Sequence, residues 1–164
     1  MPSQPETGQR TPKRYGWRAL NHLQVGRYAE YFAKMEFTML GFDVYGAEVD
    51  DKGIDFVVRV SESRYFDVQV KSCRGLGYIF FPKDRFELRD NLLAAVVLLN
   101  EGEPPALYLI PASTWLSPEP PFVSRDYEGK PSPPEWGLNI SRKHLPALER
   151  FQFDKVVGSL LGEA

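Results

Sequence analysis

Three polar residues in the first half of the chain have the types and the spacing for phosphate and metal chemistry: Asp55, Gln69 and Lys71. Asp55 opens one run of alternating residues, and Gln69 and Lys71 close the next run. A hairpin between the two runs brings a carboxylate, an amide oxygen and an ammonium to one end of a sheet. Carboxylate and amide oxygens suit hard divalent cations, and an ammonium suits a phosphate. The pattern therefore predicts a phosphate and metal site.

The two runs have the alternation of an antiparallel hairpin. Residues 55 to 60 and 65 to 71 are rich in β-branched and aromatic side chains, and the polar segment Ser61-Glu62-Ser63-Arg64 separates them. Six apolar residues of the same parity share one face of this hairpin: Phe56, Val58, Val60, Phe66, Val68 and Val70. The opposite face is polar and carries the candidate site residues.

The shared parity limits the register of the hairpin. Both apolar sets reach one face only if the numbers of opposed residues sum to an even value, which a connection of about three or five residues allows. One such register has these cross-strand pairs: Asp55 with Lys71, Val57 with Gln69, and Arg59 with Asp67. In that register the three site groups converge, because cross-strand partners lie about 5 Å apart.

A helix predicted over about residues 23 to 40 carries a fourth candidate, Glu30. Gly41 ends the helical pattern, and apolar residues occur nearly all round it, so we expect the helix to be largely buried. The residues one turn from Glu30 are small or apolar, which directs its carboxylate toward the sheet. Since burial of a lone carboxylate is costly, Glu30 needs either an ion pair with Lys34 or a metal shared with Asp55.

These motifs resemble the PD-(D/E)xK nuclease superfamily. The resemblance is carried by Gly53-Ile54-Asp55, by Gln69-Val70-Lys71 one strand later, and by the preceding helix with Glu30, over about residues 22 to 115. It is nearest to the branch with glutamine in the second acidic position, as in Mrr-like proteins and small bacterial relatives. The implied fold is α/β: a restriction-endonuclease-like three-layer sandwich with a mixed central β-sheet flanked by helices, in the order αβββαβ.

The resemblance also implies a reaction, the metal-dependent hydrolysis of phosphodiester bonds. The implied catalytic residues are Glu30, Asp55, Gln69 and Lys71, and the implied ligands of Mg²⁺ or Mn²⁺ are Glu30, Asp55, Gln69 and the carbonyl of Val70. Lys71 would orient the attacking water and stabilise the developing charge. The expected partner is nucleic acid, DNA rather than RNA, and a homodimer is expected because many such nucleases pair to cut two strands.

Composition limits the class of protein and its expected location. The 164 residues are 43% hydrophobic and 26% charged, which is typical of one globular domain. A net charge of -2 disfavours a protein that coats nucleic acid nonspecifically. Met1 to Arg14 lacks a signal sequence, no apolar run is long enough to span a membrane, and Cys73 is the single cysteine. We therefore expect a cytoplasmic protein without a membrane partner or a disulfide.

Residues 1 to 20 are predicted to be a flexible basic tail, except that Trp17 could dock on the body, and residues 21 to 164 a single domain. Beyond the hairpin the predicted elements are a loop at 72 to 77, strands at 78 to 81, 93 to 99 and 106 to 110, a helix at 82 to 91, a proline-rich loop at 111 to 137 and a C-terminal helix at 141 to 161. Aromatic residues of the proline-rich segment are interpreted as pinning it to the body rather than stacking on bases. Asp50 and Asp51 are turn residues that either serve only the turn or reach a metal.

Three functions remain open from the sequence. The first is a Mg²⁺-dependent endonuclease. The second is a catalytically inactive protein of the same fold that binds nucleic acid through its basic tail. The third is a protein-interaction module in which the fold supports the proline-rich segment and the C-terminal helix. Binding of a divalent ion separates the first function from the other two.

Overall fold

The computed structural model describes residues 11–48 and 52–162. Its helices and strands are α1 (His22–Met39), β1 (Asp43–Gly46), β2 (Phe56–Arg59), β3 (Tyr65–Arg74), β4 (Gly77–Pro82), β5 (Leu92–Leu99), β6 (Ala106–Pro111), β7 (Phe122–Arg125), β8 (Glu135–Ile140), α2 (Leu145–Leu148) and α3 (Phe153–Gly162). Short 3-10 helices lie at Trp17–Ala19, Lys83–Arg85, Ala112–Leu116 and Glu149–Phe151. In these ranges no helix is both long and apolar enough to cross a membrane.

Two sheets build the molecule. The central sheet has five strands in the order β1-β2-β3-β5-β6, and a second sheet has three in the order β4-β8-β7. In the central sheet β3 and β5 are parallel and the other pairs are antiparallel, so the predicted mixed sheet is confirmed. Strand β5 is buried along its whole length, which explains its continuous apolar sequence.

Each face of the central sheet has its own core. On one face α1 and α3 pack against alternate residues of the strands, with Phe37 in edge-to-face contact with Phe153 of α3 at 5.1 Å between ring centroids. On the other face the second sheet and α2 enclose Phe81, Phe86 and Trp115. The layers are therefore helices, sheet and sheet, and the predicted helical layer on the second face consists mostly of strands.

Helix α1 begins with a capping box. The side chain of Asn21 accepts from the backbone of Gln24, and the side chain of Gln24 accepts from the backbone of Asn21, which satisfies two free amides of the first turn. Its buried residues follow one another at four-residue spacing: Val25, Ala29, Ala33 and Phe37. The prediction that α1 is largely buried was wrong, because this one stripe makes the packed face and leaves the opposite side exposed. The exposed apolar residues there are Leu23, Tyr31, Met35 and Met39.

The hairpin of β2 and β3 forms with the predicted parity but in a different register. Phe56 pairs with Val68, both fully buried, so the apolar sets share one face as expected. The expected pairs Asp55 with Lys71, Val57 with Gln69 and Arg59 with Asp67 are wrong by two residues. The reason is that the strands are joined by the three-residue connection rather than the five-residue one. Val60 N–H donates to the Arg64 carbonyl at 2.8 Å and closes a turn over residues 61 to 63.

The region after β3 differs from the prediction. The expected loop at 72 to 77 is mostly strand, because β3 continues to Arg74 and β4 begins at Gly77. The expected helix at 82 to 91 is reduced to the 3-10 turn Lys83–Arg85. Phe86 inserts beside Phe81 of β4 in the same core, with ring centroids 4.4 Å apart.

The segment 111 to 137, predicted as a proline-rich loop, contains a 3-10 helix and β7 and then enters β8. Trp115 is fully buried, and its indole N–H donates to the Gly137 carbonyl at 3.0 Å. The indole N–H of Trp136 donates to the Phe86 carbonyl at 3.1 Å. These aromatic residues pin the segment to the body, as interpreted from the sequence, and supply the second core.

The predicted helix at 141 to 161 is broken. It consists of α2, the 3-10 turn Glu149–Phe151 and α3. Gln152 has an extended backbone, with φ −53° and ψ 137°, and forms an isolated bridge with Tyr108 of β6. The break allows Phe151 and Phe153 to enter different cores on the two sides of the sheet.

The predicted tail falls partly outside the described residues, which begin at residue 11. Within 11 to 20 Trp17 is buried, and its indole N–H donates to the Glu103 carbonyl at 3.0 Å. Arg74 donates to the carbonyls of Trp17 and Leu20, at 3.2 and 2.8 Å. Docking of Trp17, which the sequence allowed, therefore fixes the chain that leads into α1.

Candidate functional site

Strand β3 presents its odd-numbered residues to the face covered by the second sheet. Asp67 forms an ion pair with Arg89 at 2.6 Å, Gln69 is buried, and the Lys71 ammonium lies 5.8 Å from the ring centroid of Phe81. The even-numbered residues enter the core under α1. Gln69 and Lys71 therefore share one face of the strand, with the backbone of Val70 between them.

Gln69 has an unusual environment. Only 7% of its surface is exposed, and within the described chain its Oε1 has no hydrogen-bond partner. A buried polar atom without a partner costs about 1–3 kcal/mol, so such atoms are rare outside functional sites. This oxygen is uncharged and has a lone pair that could coordinate a cation. This observation on the molecule fits a metal ligand.

Gly53 is the glycine that makes room beside Gln69. Its φ is +72°, and a Cβ there would lie 2.9 Å from the Arg85 carbonyl oxygen and 3.4 Å from Nε2 of Gln69. Any other residue would therefore be strained by the backbone and crowded by Arg85. The glycine of the Gly-Ile-Asp motif lets the chain turn tightly before it delivers Asp55.

Asp55 is tied directly to β3. The backbone N–H of Val70 donates to Oδ2 of Asp55 at 2.6 Å, and the backbone N–H of Asp55 donates to the Val68 carbonyl at 2.9 Å. A short bond from an amide to a carboxylate is charge-assisted and stronger than a neutral one. The carboxylate is thus held at the residue between Gln69 and Lys71. The structure brings Asp55, Gln69, Val70 and Lys71 together.

Lys71 opens into a groove between the first half of α1 and the β3–β4 hairpin. The cavity measures about 540 Å³, and its polar and small lining residues include His22, Gly26, Lys71, Ser72, Arg74 and Tyr78. Among the residues that the structure describes, no aspartate or glutamate lines it. Among the described residues Lys71 forms no ion pair, so no carboxylate there neutralises its ammonium. Such a groove suits a phosphodiester strand.

Cys73 also lines this groove, but its thiol is not activated for nucleophilic attack. Burial raises the pKa of its thiol, which keeps the side chain protonated. The Sγ–H group donates to the Gly75 carbonyl at 3.6 Å. A protonated, partly buried thiol of this kind is not a nucleophile.

Glu30 has a different partner from the one the metal hypothesis gives it. Its Oε1 accepts from Lys34 Nζ at 3.0 Å, and both side chains are partly exposed. The Lys34 ammonium lies 5.8 Å from the ring centroid of Phe56, the residue after Asp55. Of the two partners that the sequence left open, the structure has the ion pair. The charge of Glu30 is therefore neutralised by Lys34 of the same helix.

An ion at this site would have few charged ligands. Within residues 11–48 and 52–162, no group of three or more His, Cys, Asp and Glu side chains is placed to hold a metal ion. Asp50 and Asp51, predicted as turn residues, lie outside the described residues. The described donors are one carboxylate at Asp55, the amide oxygen of Gln69 and the backbone at Val70. All are hard oxygen donors of the kind that Mg²⁺ and Mn²⁺ prefer.

Sequence analysis missed Tyr78 as a site residue. It was assigned only to a strand, yet it lines the Lys71 groove and donates its hydroxyl to the buried carboxylate of Glu135. Burial, followed by that hydrogen bond, raises the pKa of Tyr78 above its ordinary value. The signal that could have found it is the alternation of Tyr78 and Phe80 with two buried neighbours.

Comparison with known proteins identifies the fold. No protein-family model and no curated protein sequence matches the chain. Solved structures do match. One is the bacterial homing endonuclease I-Ssp6803I, with a TM-score of 0.54 and 20% identity, covering 86% of this chain and 91% of the other. Another is Hjc, a Holliday junction resolvase from Archaeoglobus fulgidus, with a TM-score of 0.52 and 15% identity, covering 81% of this chain and 95% of the other. The chain has a restriction-endonuclease-like fold. The predicted fold class is confirmed.

Proposed function

We propose that the protein is a metal-dependent nuclease that hydrolyses phosphodiester bonds in DNA. The observation that carries the proposal is the orphaned, buried Oε1 of Gln69, the residue before the Val70 amide that binds the carboxylate of Asp55, on a fold shared with two nucleases. A structural hairpin has no reason to bury an amide oxygen without a partner, whereas a cation site does.

Mg²⁺ or Mn²⁺ is the proposed cofactor, held by Asp55, Gln69 and the Val70 carbonyl. A bound ion of this kind neutralises charge on the phosphate and lowers the pKa of a bound water. Glutamine supplies an oxygen without a charge, so the ion should be held more weakly than by two carboxylates. The bond from Val70 N–H fixes the Asp55 carboxylate before any ion arrives, which reduces the ordering cost of binding.

Lys71 is the proposed catalytic cation. Its ammonium lies on the same face as Gln69 and opens into the groove without a carboxylate to neutralise it. In that position it would orient the attacking water and stabilise the charge that develops on the phosphate. The surrounding groove, with His22 and Arg74 in its lining, would hold the strand.

Glu30 is proposed as an outer ligand of the ion, and Lys34 competes with the ion for its carboxylate. The ion pair at 3.0 Å neutralises the carboxylate, and a partly exposed pair of this type contributes only about 0–1 kcal/mol, so a divalent ion can displace it. Glu30 would then act through a water or directly on the ion. DNA is favoured over RNA because the two similar structures are those of a homing endonuclease and a Holliday junction resolvase.

A homodimer and a cytoplasmic location complete the proposal. Two copies would cut two strands, and the exposed apolar residues of α1 give one candidate contact surface. The single cysteine needs no oxidising compartment.

A second function is favoured by one observation. Glu30 is already paired with Lys34, and one carboxylate remains among the described donors of the site, so an inactive protein that binds nucleic acid is the alternative. Such a protein would use the groove and need no ion.

Thermal unfolding in Mn²⁺ and in EDTA tests the proposal, together with cleavage of labelled DNA. Asp55→Asn is the informative variant, because the amide oxygen still accepts from Val70 N–H while the charge is lost. We expect Mn²⁺ to raise the Tm of the wild type and to support cleavage, and Asp55→Asn to lose both effects. Asp43→Asn, at an exposed position of β1, is the matched control and should behave as wild type.

Two results would contradict the proposal. If the wild type binds Mn²⁺ no better than Asp55→Asn, the site does not hold a metal. If ions bind but no DNA or RNA is cut, retention of a labelled duplex on a gel supports the inactive nucleic-acid-binding protein instead.

A further inference from the structure

The outer face of the second sheet carries an exposed aromatic surface. Strand β4 directs Ile79 and Phe81 into the second core and Tyr78 and Phe80 away from it. Phe80 is 47% exposed, although it is a large apolar residue in the middle of a strand. The rings of Tyr78 and Phe80 are stacked, with centroids 6.3 Å apart and an angle of 20° between their planes. Together they form an exposed aromatic patch, which we call the Tyr78–Phe80 surface.

The neighbouring strand fixes this surface. Gly137 of β8 lies opposite Phe80, and a Cβ on it would come within 2.0 Å of the Tyr78 hydroxyl. Only glycine lets the tyrosine lie across the backbone at this point. The hydroxyl donates to Glu135, whose side chain is buried, so the ring is held at its tip as well as along its edge. The conformational entropy of the ring is therefore lost before any ligand binds.

The Tyr78–Phe80 surface adjoins the groove of Lys71. Tyr78 lines that groove, whose described lining residues include the cations Lys71 and Arg74 and no carboxylate. Arg125 of β7 places its guanidinium over the Tyr78 ring, 4.7 Å from the centroid, so Phe80 is the ring that stays open to a ligand. An exposed ring close to cations complements a nucleobase attached to its phosphate, since bases stack on rings and phosphates bind cations.

We propose that the Tyr78–Phe80 surface stacks an unpaired nucleobase of the substrate, next to the phosphate held at Lys71. This inference rests on the proposed nuclease function and names its substrate class. In an uninterrupted duplex the neighbouring base pairs cover both faces of every base, so only an unpaired or flipped base can stack on a protein ring. The preferred substrate is therefore nucleic acid with an unpaired nucleotide beside the scissile bond, rather than a continuous duplex.

Binding without cleavage tests this inference. The probes are a blunt DNA duplex and the same duplex with unpaired nucleotides at one end, one of them the fluorescent base 2-aminopurine, titrated in EDTA. We expect the wild type to bind the second probe about tenfold more tightly and to quench its fluorescence by stacking. Phe80→Leu should lose that preference and the quenching, and keep its affinity for the blunt duplex.

Two further variants make the test specific. Phe80→Trp keeps a ring and should bind the unpaired probe at least as tightly as wild type. Tyr65→Leu removes an aromatic residue that is 51% exposed at the hairpin end of β3, away from the Tyr78–Phe80 surface, and should change neither affinity. Because Phe80 is half exposed, these variants are expected to fold, and circular dichroism checks that they do.

The outcomes separate this inference from the proposed function. If Phe80→Leu binds both probes as wild type does while Asp55→Asn abolishes cleavage, the surface does not contact the substrate and the nuclease proposal stands. If the wild type binds no nucleic acid, both proposals fail. If Phe80→Leu instead converts a dimer to a monomer in sedimentation and leaves probe binding unchanged, the surface is a contact between copies, and the inference is overturned.

Discussion

The backbone N–H of Val70 donates to the carboxylate of Asp55 at 2.6 Å, so one bond joins the two strands of the hairpin and fixes the main candidate ligand. The carboxylate replaces a backbone carbonyl as the acceptor at this point of β3. Asp55 therefore has a structural role that is independent of any ion. Variants at this position must separate the two roles.

Asp55→Ala and Asp55→Asn are expected to differ in stability. Alanine leaves the Val70 N–H without its acceptor, which should lower the free energy of unfolding by about 1–3 kcal/mol, whereas asparagine retains an oxygen acceptor. Urea denaturation in EDTA measures the difference. Equal midpoints for the two variants would show that water or another group takes over the bond.

Gln69 variants report whether its orphaned oxygen binds the ion. Gln69→Glu adds a negative charge beside Asp55 and should tighten Mn²⁺ binding, while its stability in EDTA should fall because a buried carboxylate then lacks a counterion. Gln69→Leu removes the oxygen and should weaken Mn²⁺ binding without that loss of stability. Isothermal titration calorimetry and thermal unfolding measure the two effects. Mn²⁺ affinities that match the wild type in both variants would remove Gln69 from the ligand set.

Lys71→Met is expected to separate ion binding from cleavage. The ammonium contacts no described carboxylate, so its loss should leave the Mn²⁺ affinity within about threefold of wild type. Loss of its charge in the transition state should lower the cleavage rate by at least about 10²-fold. Single-turnover rates with saturating DNA measure the chemical step, and Lys52→Met, an exposed lysine before the site, is the control. A rate unchanged in Lys71→Met would assign the charge stabilisation elsewhere.

The sequence predicted the hairpin and the types of the site residues well, for a physical reason. Alternation states directly which residues of a strand are buried, so the shared face of Phe56 and Val68 followed from their numbers alone. The register did not follow, because connections of two lengths satisfy the same parity. The bond from Val60 to Arg64 makes the choice, and no pattern of side chains encodes it.

The second sheet could not be predicted because its strands are remote in sequence. Strand β4 pairs with β8 across the whole of β5, β6 and β7, and the prolines between β6 and β8 resemble those of a loop. The register that places Phe80 opposite Gly137 depends on this pairing. Glu30 shows a similar limit: its four-residue spacing to Lys34 is visible in the sequence, but the choice between the ion pair and a shared metal is not.

Lys34→Gln is expected to release Glu30. If Lys34 competes with the ion for that carboxylate, its replacement should tighten Mn²⁺ binding by several fold, and Glu30→Gln in the same background should cancel the gain. The double-mutant cycle isolates the coupling between the two side chains. Because the pair is partly exposed, stability in EDTA should change by no more than about 1 kcal/mol. A Mn²⁺ affinity indifferent to both substitutions would restrict the site to β3 and Asp55.

Deprotonation of Tyr78 is expected to lower the stability of the protein at alkaline pH. Burial and the hydrogen bond to Glu135 raise its pKa in the folded protein above the ordinary value of 10.0. The protonated Tyr78 hydroxyl therefore contributes fully to the free energy of unfolding below about pH 10. This contribution is lost as the pH rises above that value, because the unfolded chain then releases the proton more readily than the folded protein does. Tyr78→Phe should make the free energy of unfolding fall less steeply between about pH 9 and pH 11.

Tyr108→Phe is the comparison that identifies the role of Glu135. Burial also raises the pKa of Tyr108, so this variant should likewise flatten the alkaline fall in stability. At about pH 8 the two variants should differ, since only Tyr78→Phe leaves the buried carboxylate of Glu135 without its donor and lowers the free energy of unfolding, by about 1–3 kcal/mol. Guanidinium denaturation across the pH series measures both effects. If Tyr78→Phe is as stable as Tyr108→Phe at pH 8, Glu135 does not hold the tyrosine, and the rigid Tyr78–Phe80 surface loses its support.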